Sequence, residues 1–532
     1  MQTKDYIVFI LYFIVVSAYG YWIYRRKKTA EASANDFFLA EGSLTWWAIG
    51  ASLIASNISA EQFIGMSGSG FAMGLAISTY EWMAAATLIV VAVFFMPGYI
   101  RNRIFTMPQF LEKRYSPLVA TMMAIFWLFI YVFVNLTSIL YLGALAVSAV
   151  SGFTFFQCSL FLAVFAIIIT LGGMKVIGYT DVIQVVVLVL GGLATTYLAL
   201  DLVAQQFGTS GMWTGLSLLK EQAPDHFHMI FDKSNEHYNE LPGLTVIIGA
   251  MWIANLNYWG CNQYITQRAL GADIDTARNG LLFAAFLKLL MPIIVVLPGI
   301  AAYVLHQKGM FQQEMMGDTG QLKPDKAYPV LLSLLGPGLK GLSFAALTAA
   351  IVASLAGKAN SIATIFTLDI YKKYFNKEAN DDKQVSIGRI VILVAMGVAV
   401  LVAPQLRSLE QGFQFVQEFT GMISPGVVAI FLLGFFWKRA TAMAALVAAL
   451  ITIPLGFGFK AWIPEVPFLD RMGIIFCILV GVMAVISLAD PNSKNNPKAM
   501  EVNAADFRTS QKFAIGTALV LGVLAWLYIV FW

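Results

Sequence analysis

Cysteine, histidine and charged residues are scarce in this chain, and each scarcity excludes a class of protein. Its 532 residues include only three cysteines and four histidines, too few and too scattered for a disulfide framework or a metal-ligand cluster. Only 12% of the residues are charged, about half the usual share of a soluble domain. The sequence contains no Walker loop, kinase signature or nucleophile elbow, so it lacks the machinery for nucleotide-driven pumping or covalent catalysis. We therefore expect neither an enzyme nor a nucleic-acid partner.

Apolar residues are abundant instead. They make up 59% of the chain, and the mean hydropathy is +0.74, which indicates a membrane protein. About fourteen segments reach the roughly 20 residues that a helix needs to cross the bilayer core. Cys158, Cys261 and Cys477 fall within these segments and are expected to be small buried residues. We predict an all-α multispan membrane protein with spans near residues 6–24, 46–72, 79–99, 118–148, 153–171, 179–203, 243–264, 279–305, 341–366, 386–404, 414–437, 440–459, 470–489 and 511–531.

The positions of arginine and lysine predict the orientation in the membrane. A basic run from Arg25 to Lys28 directly follows the first span, which places that loop in the cytoplasm because cytoplasmic loops are enriched in basic residues. Counting onward, other cytoplasmic loops carry most of the remaining basic residues, including Arg268 and Arg278. Both termini are then predicted outside. The longest polar insertions, 204–242 and 306–330, fall on the outer side and are too short for a separate enzyme domain.

Two of the predicted spans carry polar residues where a spanning helix should be most apolar. The stretch from Ala55 to Gln62 contains a carboxylate and two amides, and the stretch from Trp252 to Gln263 contains three asparagines and a glutamine. Such groups are costly at bilayer depth and normally face a water-filled path or a ligand. A pair of interrupted helices is the best sequence pointer to a transporter binding site at the midplane. The alternative is that these residues only join helices by hydrogen bonds.

The interrupted helices are the second and seventh spans, and their separation by five spans predicts an inverted repeat. An odd separation makes them cross the membrane in opposite directions, so spans two to six and seven to eleven form two halves. Unwound backbone at each break frees carbonyls that can bind a cation. The predicted divisions are an N-terminal extra helix with a basic loop, the first half, the second half and three peripheral C-terminal helices, at 1–45, 46–240, 241–437 and 438–532.

Several stretches resemble the sodium/solute symporter family, most closely its bacterial sodium/galactose or sodium/glucose branch. The strongest are ASLIASNISAEQFIGMSGSG at 51–70 and YEWM at 80–83, and further matching stretches lie at 133–138, 179–184, 255–268, 283–288, 360–371 and 413–425. The resemblance implies a LeuT-type five-plus-five inverted repeat. It also implies import of a hexose with sodium, through alternating access, by a chain that works as a monomer in the lipid of a bacterial inner membrane.

The resemblance also implies which residues bind the sugar. Amide and charged side chains would hydrogen-bond it, namely Gln62, Glu81, Asn255, Lys288 and Gln417. Asn57 would join the sugar site to the cation site, Asn135 would contribute from a neighbouring helix, and Tyr258 would stack beneath the sugar ring as the inner gate. The outer gate would consist of Met66, Tyr80 and Phe413. The alternative for Glu81 and Lys288 is that they simply neutralise each other as a buried pair.

The implied sodium site consists of backbone carbonyls at the first break and of groups on the ninth span. These positions are Ala55, Ile58, Ala350 and Ser354. An expected hydroxyl is missing because position 353 is alanine, whereas a hard cation prefers oxygen ligands.

Lys358 lies one helical turn beyond Ser354 on the same face. We expect it to pair with Asp181 and to take the charge role of a further cation. Sodium coupling is then weakened, or the ammonium mimics the ion and leaves transport proton-coupled or cation-independent. Another neutral polyol such as myo-inositol is the alternative substrate.

Overall fold

The computed structural model describes residues 3–26, 44–317, 320–408 and 412–532. In these ranges the chain is almost entirely helical, and each predicted span coincides with a long helical stretch. Two of the stretches are broken, and we label their pieces a and b. The stretches are α1 Thr3–Arg26, α2a Trp46–Asn57, α2b 61–73, α3 79–101, α4 Pro117–Ser151, α5 Phe155–Thr170, α6 Gly173–Gln206, α7a 246–260, α7b Gln263–Leu270, α8 Ile274–Gln307, α9 Leu339–Phe375, α10 Asp381–Val402, α11 Gly412–Phe436, α12 Ala442–Trp462, α13 Phe468–Ala489 and α14 Gln511–Val530.

The helices make this a multi-pass membrane protein. In the described part of the chain, eleven helices are long and apolar enough to cross a membrane. The predicted count of about fourteen spans stays a prediction, because α2b runs on into α3 without a gap, α7 is broken, and α5 is shorter than the others. The predicted orientation depends on the basic run from Arg25 to Lys28, and Lys27 and Lys28 of this run fall outside the described residues.

Polar caps at the helix ends explain where several of these helices begin. Thr154 and Gln157 form a capping box at the start of α5, and the side chain of Asp273 accepts a hydrogen bond from the backbone N–H of Thr276 at the start of α8. Such caps satisfy the N–H groups that the first helical turn leaves without partners. The helix boundaries are therefore set by short polar stretches between long apolar ones.

Helix α8 is the packing centre of the bundle, because it contacts α2, α3 and α6. Close approach of α8 to α2b requires glycine at position 299, where an added Cβ would overlap the carbonyl oxygen of Ser67. The outer surface is formed by apolar side chains on peripheral helices such as α13 and α14. Cys158 and Cys261 are buried as expected, but the expectation was wrong for Cys477, which is exposed on α13. A small apolar thiol is tolerated on a surface that faces hydrocarbon.

Candidate substrate and cation site

The first break separates α2a from α2b. Helix α2a ends at Asn57, and Ile58 adopts an extended conformation with φ −75° and ψ 98°. The chain then enters a π-helical turn from Glu61 to Met66, a feature often found at functional sites. The side-chain oxygen of Gln62 accepts hydrogen bonds from the backbone N–H and the hydroxyl of Ser59 at 3.1 and 3.3 Å. The start of α2b is therefore held by its own polar side chains.

The second break, between α7a and α7b, is built in a similar way. Cys261 leaves the helical conformation, and Asn262 is extended with φ −107° and ψ 121°. The side-chain oxygen of Asn262 accepts a hydrogen bond from the backbone N–H of Tyr264 at 3.1 Å, and it also accepts one from the hydroxyl of Tyr131 on α4. Each broken span thus has a polar side chain at the start of its second half-helix, Gln62 in one and Asn262 in the other, as the prediction of two interrupted helices requires.

The two breaks face each other across the bundle. The side-chain amide of Asn57 donates to the hydroxyl of Tyr258 at 3.1 Å, and the hydroxyl of Tyr264 donates to the carbonyl oxygen of Ser56. Half-helix ends and unwound backbone are therefore gathered at one place inside the protein. Such an arrangement supplies both helix dipoles and free carbonyls to a bound solute or ion.

A cavity of about 820 Å³, including its open mouth, lies between these breaks. The sequence-predicted sugar residues all line it, and so do three of the predicted gate residues and Lys358. These residues are Asn57, Gln62, Tyr80, Glu81, Asn135, Asn255, Tyr258, Lys288, Lys358, Phe413 and Gln417. The structure thus brings together residues from several different helices, while their individual roles in binding remain predictions.

Lys288 is almost fully buried, and its ammonium has several partners. It contacts a carboxylate oxygen of Glu81 at 2.5 Å, donates to the side-chain oxygen of Asn57 and lies 5.0 Å from the centre of the Trp259 ring. The carboxylate compensates an ammonium that would otherwise be costly at this depth. Glu81 and Lys288 therefore neutralise each other in this structure, as the alternative prediction states, and both side chains also line the cavity.

Two of the predicted outer gate residues pack together at the wall of the cavity. The rings of Tyr80 and Phe413 meet edge to face with their centres 5.2 Å apart, and Met66 is completely buried nearby. Gly65 permits this contact between α2b and α11, because an added Cβ there would lie 2.8 Å from the Cβ of Phe413. The aromatic pair forms part of the cavity wall, and its role as an outer gate stays a prediction.

The predicted sodium positions are buried beside the first break. Ala55, Ile58 and Ala350 are no more than 1% exposed, and the hydroxyl of Ser354 donates to the carbonyl oxygen of Ser56 at 2.9 Å. The lone pairs of the Ser354 oxygen remain available to a cation. One carboxylate oxygen of nearby Asp181 is buried and has no hydrogen-bond partner among the described residues. A group of buried oxygens with spare acceptor capacity suits a hard cation such as sodium.

The predicted pairing of Lys358 with Asp181 is wrong. Asp181 instead accepts a hydrogen bond from the hydroxyl of Ser52 at 2.6 Å, and that hydroxyl accepts one from Arg268 Nε at 2.9 Å. A guanidinium on the second broken helix therefore takes the place that the prediction gave to Lys358.

Sequence reasoning missed two charged residues of this region. Arg268 was assigned to a cytoplasmic loop, but it lies in α7b and is only 1% exposed. Glu61 was noticed as a carboxylate at bilayer depth without receiving a role; it lines the cavity and accepts a hydrogen bond from Ser138 at 2.9 Å. The available signal was the charge itself, because ionisable residues inside a membrane are functional candidates by default.

A segment of the polar insertion 204–242, which was predicted to be outside, covers the turn between α2b and α3. The ring of His226 stacks on Tyr303 with centres 4.0 Å apart, and its Nε2 lies 3.1 Å from the carbonyl oxygen of Phe71. Burial lowers the pKa of His226 below its ordinary value, because desolvation disfavours the charged imidazolium. The segment is thus docked on the bundle through the ring of His226.

Comparisons with known proteins agree with this geometry. The chain matches the model of the sodium:solute symporter family over residues 37–452. It is 46% identical to a sodium/glucose cotransporter of Vibrio parahaemolyticus, over 99% of this chain and 98% of that protein. It is 32% identical to a sodium/myo-inositol cotransporter 2 of Oryctolagus cuniculus, over 86% of this chain and 70% of that protein. A solved sodium-coupled sialic acid symporter shares the fold, with a TM-score of 0.78 and 21% identity over 92% of this chain and 98% of that one.

Fold and site together define a secondary transporter of the LeuT type, with two opposed broken helices around a central cavity. Within that class, the chain belongs to the sodium:solute symporter family. The predicted family is therefore confirmed.

Proposed function

We propose that this chain imports a hexose of the galactose or glucose type together with sodium, through alternating access. The proposal depends chiefly on one observation, the hydrogen bonds that join the cavity to the first break. Asn57 contacts both Tyr258 and Lys288 in the cavity. In the sequence it lies between Ala55 and Ile58, whose backbone carbonyls are the predicted sodium ligands. A change at the cation position can therefore reach the sugar position through a single side chain.

The cavity lining suits a neutral polyol. Amides such as Asn255 and Gln417 can pair with hydroxyls, and aromatic rings such as Tyr258 can pack on the apolar face of a sugar ring. The contact between Glu81 and Lys288 leaves no net charge at that wall of the cavity. An anionic substrate would require an uncompensated cation there. The relatives named for glucose and myo-inositol transport support this substrate class.

Sodium would be a transported substrate, held at Ala55, Ile58, Ala350 and Ser354. Occupation of these oxygens would stabilise the break in α2 and, through Asn57, the arrangement of the sugar site. Departure of the ion towards the cytoplasm would release Tyr258, the proposed inner gate. Such coupling of two ligands to one conformational equilibrium is sufficient for symport and needs no covalent chemistry.

The available energy is adequate for accumulation. One sodium ion that moves down roughly 100 mV gains about 2.3 kcal/mol, and a tenfold concentration gradient adds about 1.4 kcal/mol. Together they support a sugar accumulation of a few hundredfold at a one-to-one ratio. We propose that the protein works as a monomer in a bacterial inner membrane, with both termini outside.

Uptake of isotopically labelled galactose or glucose into proteoliposomes tests the function. We expect faster uptake with sodium outside than with potassium, and competition by hexose epimers but weaker competition by myo-inositol. The variant Asn255→Ala should lose uptake, whereas Asn492→Ala, on an exposed loop, should not. Hexose uptake indifferent to sodium would refute the coupling and support the cation-independent alternative, while stronger competition by myo-inositol would reassign the substrate.

A further inference from the structure

Lys358 occupies an aromatic cage at the boundary between the cavity and the predicted sodium position. Its ammonium lies 4.0 Å from the ring centre of Tyr264, 4.8 Å from that of Tyr131 and 5.8 Å from that of Tyr258. It donates one hydrogen bond, to the side-chain oxygen of Asn135 at 3.3 Å. Aromatic faces attract a desolvated ammonium. The cage therefore surrounds the terminal amino group of Lys358 without a contacting carboxylate among the described residues.

Glu61 supplies a carboxylate to the same cavity as Lys358. Both residues line the cavity, and opposite charges in a protein interior attract each other more strongly than in water. Counting the ionisable side chains that line the cavity or contact the first broken helix beside it gives equal numbers of acids and bases among the described residues. The acids are Glu61, Glu81 and Asp181, and the bases are Arg268, Lys288 and Lys358. The site is thus electrically balanced by its own side chains, and a bound sodium ion adds a net positive charge.

Lys358 lies close to the predicted sodium position. It follows Ser354 by four residues in the continuous helix α9, which places their Cα atoms about 6 Å apart. Its amino group contacts the ring of Tyr264, whose hydroxyl donates to the carbonyl oxygen of Ser56 beside that position. Two like charges within roughly 10 Å of each other inside a protein repel enough to change an affinity by tenfold or more. The ammonium also contacts Tyr258 and Asn135 at the sugar cavity. It is therefore placed to affect both ligands.

We propose that Lys358 is a resident positive charge that weakens sodium binding and takes over part of the role of sodium in organising the sugar site. The ammonium holds Tyr258, Tyr264 and Asn135 in the arrangement that the cation would otherwise favour. The sugar then binds appreciably without sodium, and sodium adds less than it would to a site without the lysine. The inference assumes the sodium-coupled hexose transport proposed above.

Titration of hexose into the purified protein by calorimetry, at sodium concentrations from zero upward in a choline background, tests the proposal. The informative variant is Lys358→Met, which keeps the length of the side chain and removes the charge. We expect it to bind hexose more weakly without sodium and to show a half-effective sodium concentration at least about tenfold lower than the unmodified protein. Lys358→Arg keeps the charge and should behave like the unmodified protein.

Two further variants separate charge from general damage. Lys340→Met removes the same charge from the outer end of the same helix and should change nothing. Glu61→Gln removes the opposing carboxylate and should raise the half-effective sodium concentration. Equal sodium dependence in the unmodified protein and in Lys358→Met would overturn the proposal, and so would an effect of the same size in Lys358→Arg. Absence of hexose binding in every protein, including the unmodified one, would instead refute the proposed function.

Discussion

The contact between Glu81 and Lys288 allows the stability of the site to be separated from its binding function. At 2.5 Å and an effective dielectric constant of about 20, the two charges attract each other by about 7 kcal/mol. Desolvation of both buried groups offsets a large part of that attraction. Removal of one partner leaves the other charge buried without compensation, which typically costs about 3 to 5 kcal/mol. We therefore expect Glu81→Gln and Lys288→Met each to destabilise the protein by about 3 kcal/mol.

The double variant provides the decisive comparison. With both charges gone, Glu81→Gln/Lys288→Met should recover most of the lost stability, because no buried charge remains uncompensated. Hexose binding should stay absent, because the polar groups of both side chains have been changed. Thermal unfolding of the detergent-solubilised protein measures the stability, and calorimetric titration measures the binding. If the double variant loses as much stability as the two single variants together, Glu81 and Lys288 do not form a stabilising pair. If the double variant binds hexose normally, the proposed sugar role of these two residues is refuted.

Two other predictions concern the fold around the site. Gly299→Ala should destabilise the protein by about 1 to 3 kcal/mol or more in a thermal unfolding assay, because the new methyl group overlaps the carbonyl oxygen of Ser67. The control Gly397→Ala meets no atom within 4 Å and should leave the stability unchanged in the same assay. Burial lowers the pKa of His226, so the unfolded chain binds a proton at this residue more readily than the folded chain does. The free energy of unfolding therefore keeps its full value above the ordinary histidine pKa and decreases as the pH falls below it. Thermal midpoints at pH values on either side of about 6.5 should therefore fall more in the unmodified protein than in His226→Gln, and equal falls would contradict the role of the buried imidazole.

The sequence was sufficient to predict the breaks and about half of the residues that line the cavity. Polar residues such as Asn57 and Asn255 are conspicuous because they interrupt long apolar runs, and the spacing of the two runs implies opposed half-helices. The family resemblance then indicated residues on other helices, such as Gln417, which composition alone does not single out. The inference depended on features that are local in the sequence.

Partners across the bundle were not predictable in the same way. Spacing along α9 places Lys358 on the face of Ser354, but it does not reveal which side chain on another helix lies opposite. Asp181 was therefore assigned to Lys358, although the guanidinium of Arg268 reaches the same region from α7b. Arg268 looked like a loop residue because α7b is short and polar. Its burial follows only from the way α7b packs under the first break.

The central claim is that sodium movement drives sugar accumulation, and the most direct test is the steady-state accumulation of labelled hexose in proteoliposomes as the imposed sodium gradient is varied. At a one-to-one ratio and fixed voltage, each tenfold increase in the sodium gradient should raise the ratio of internal to external hexose by about tenfold, until leakage limits it. An accumulation ratio that stays at one for every sodium gradient would contradict the account.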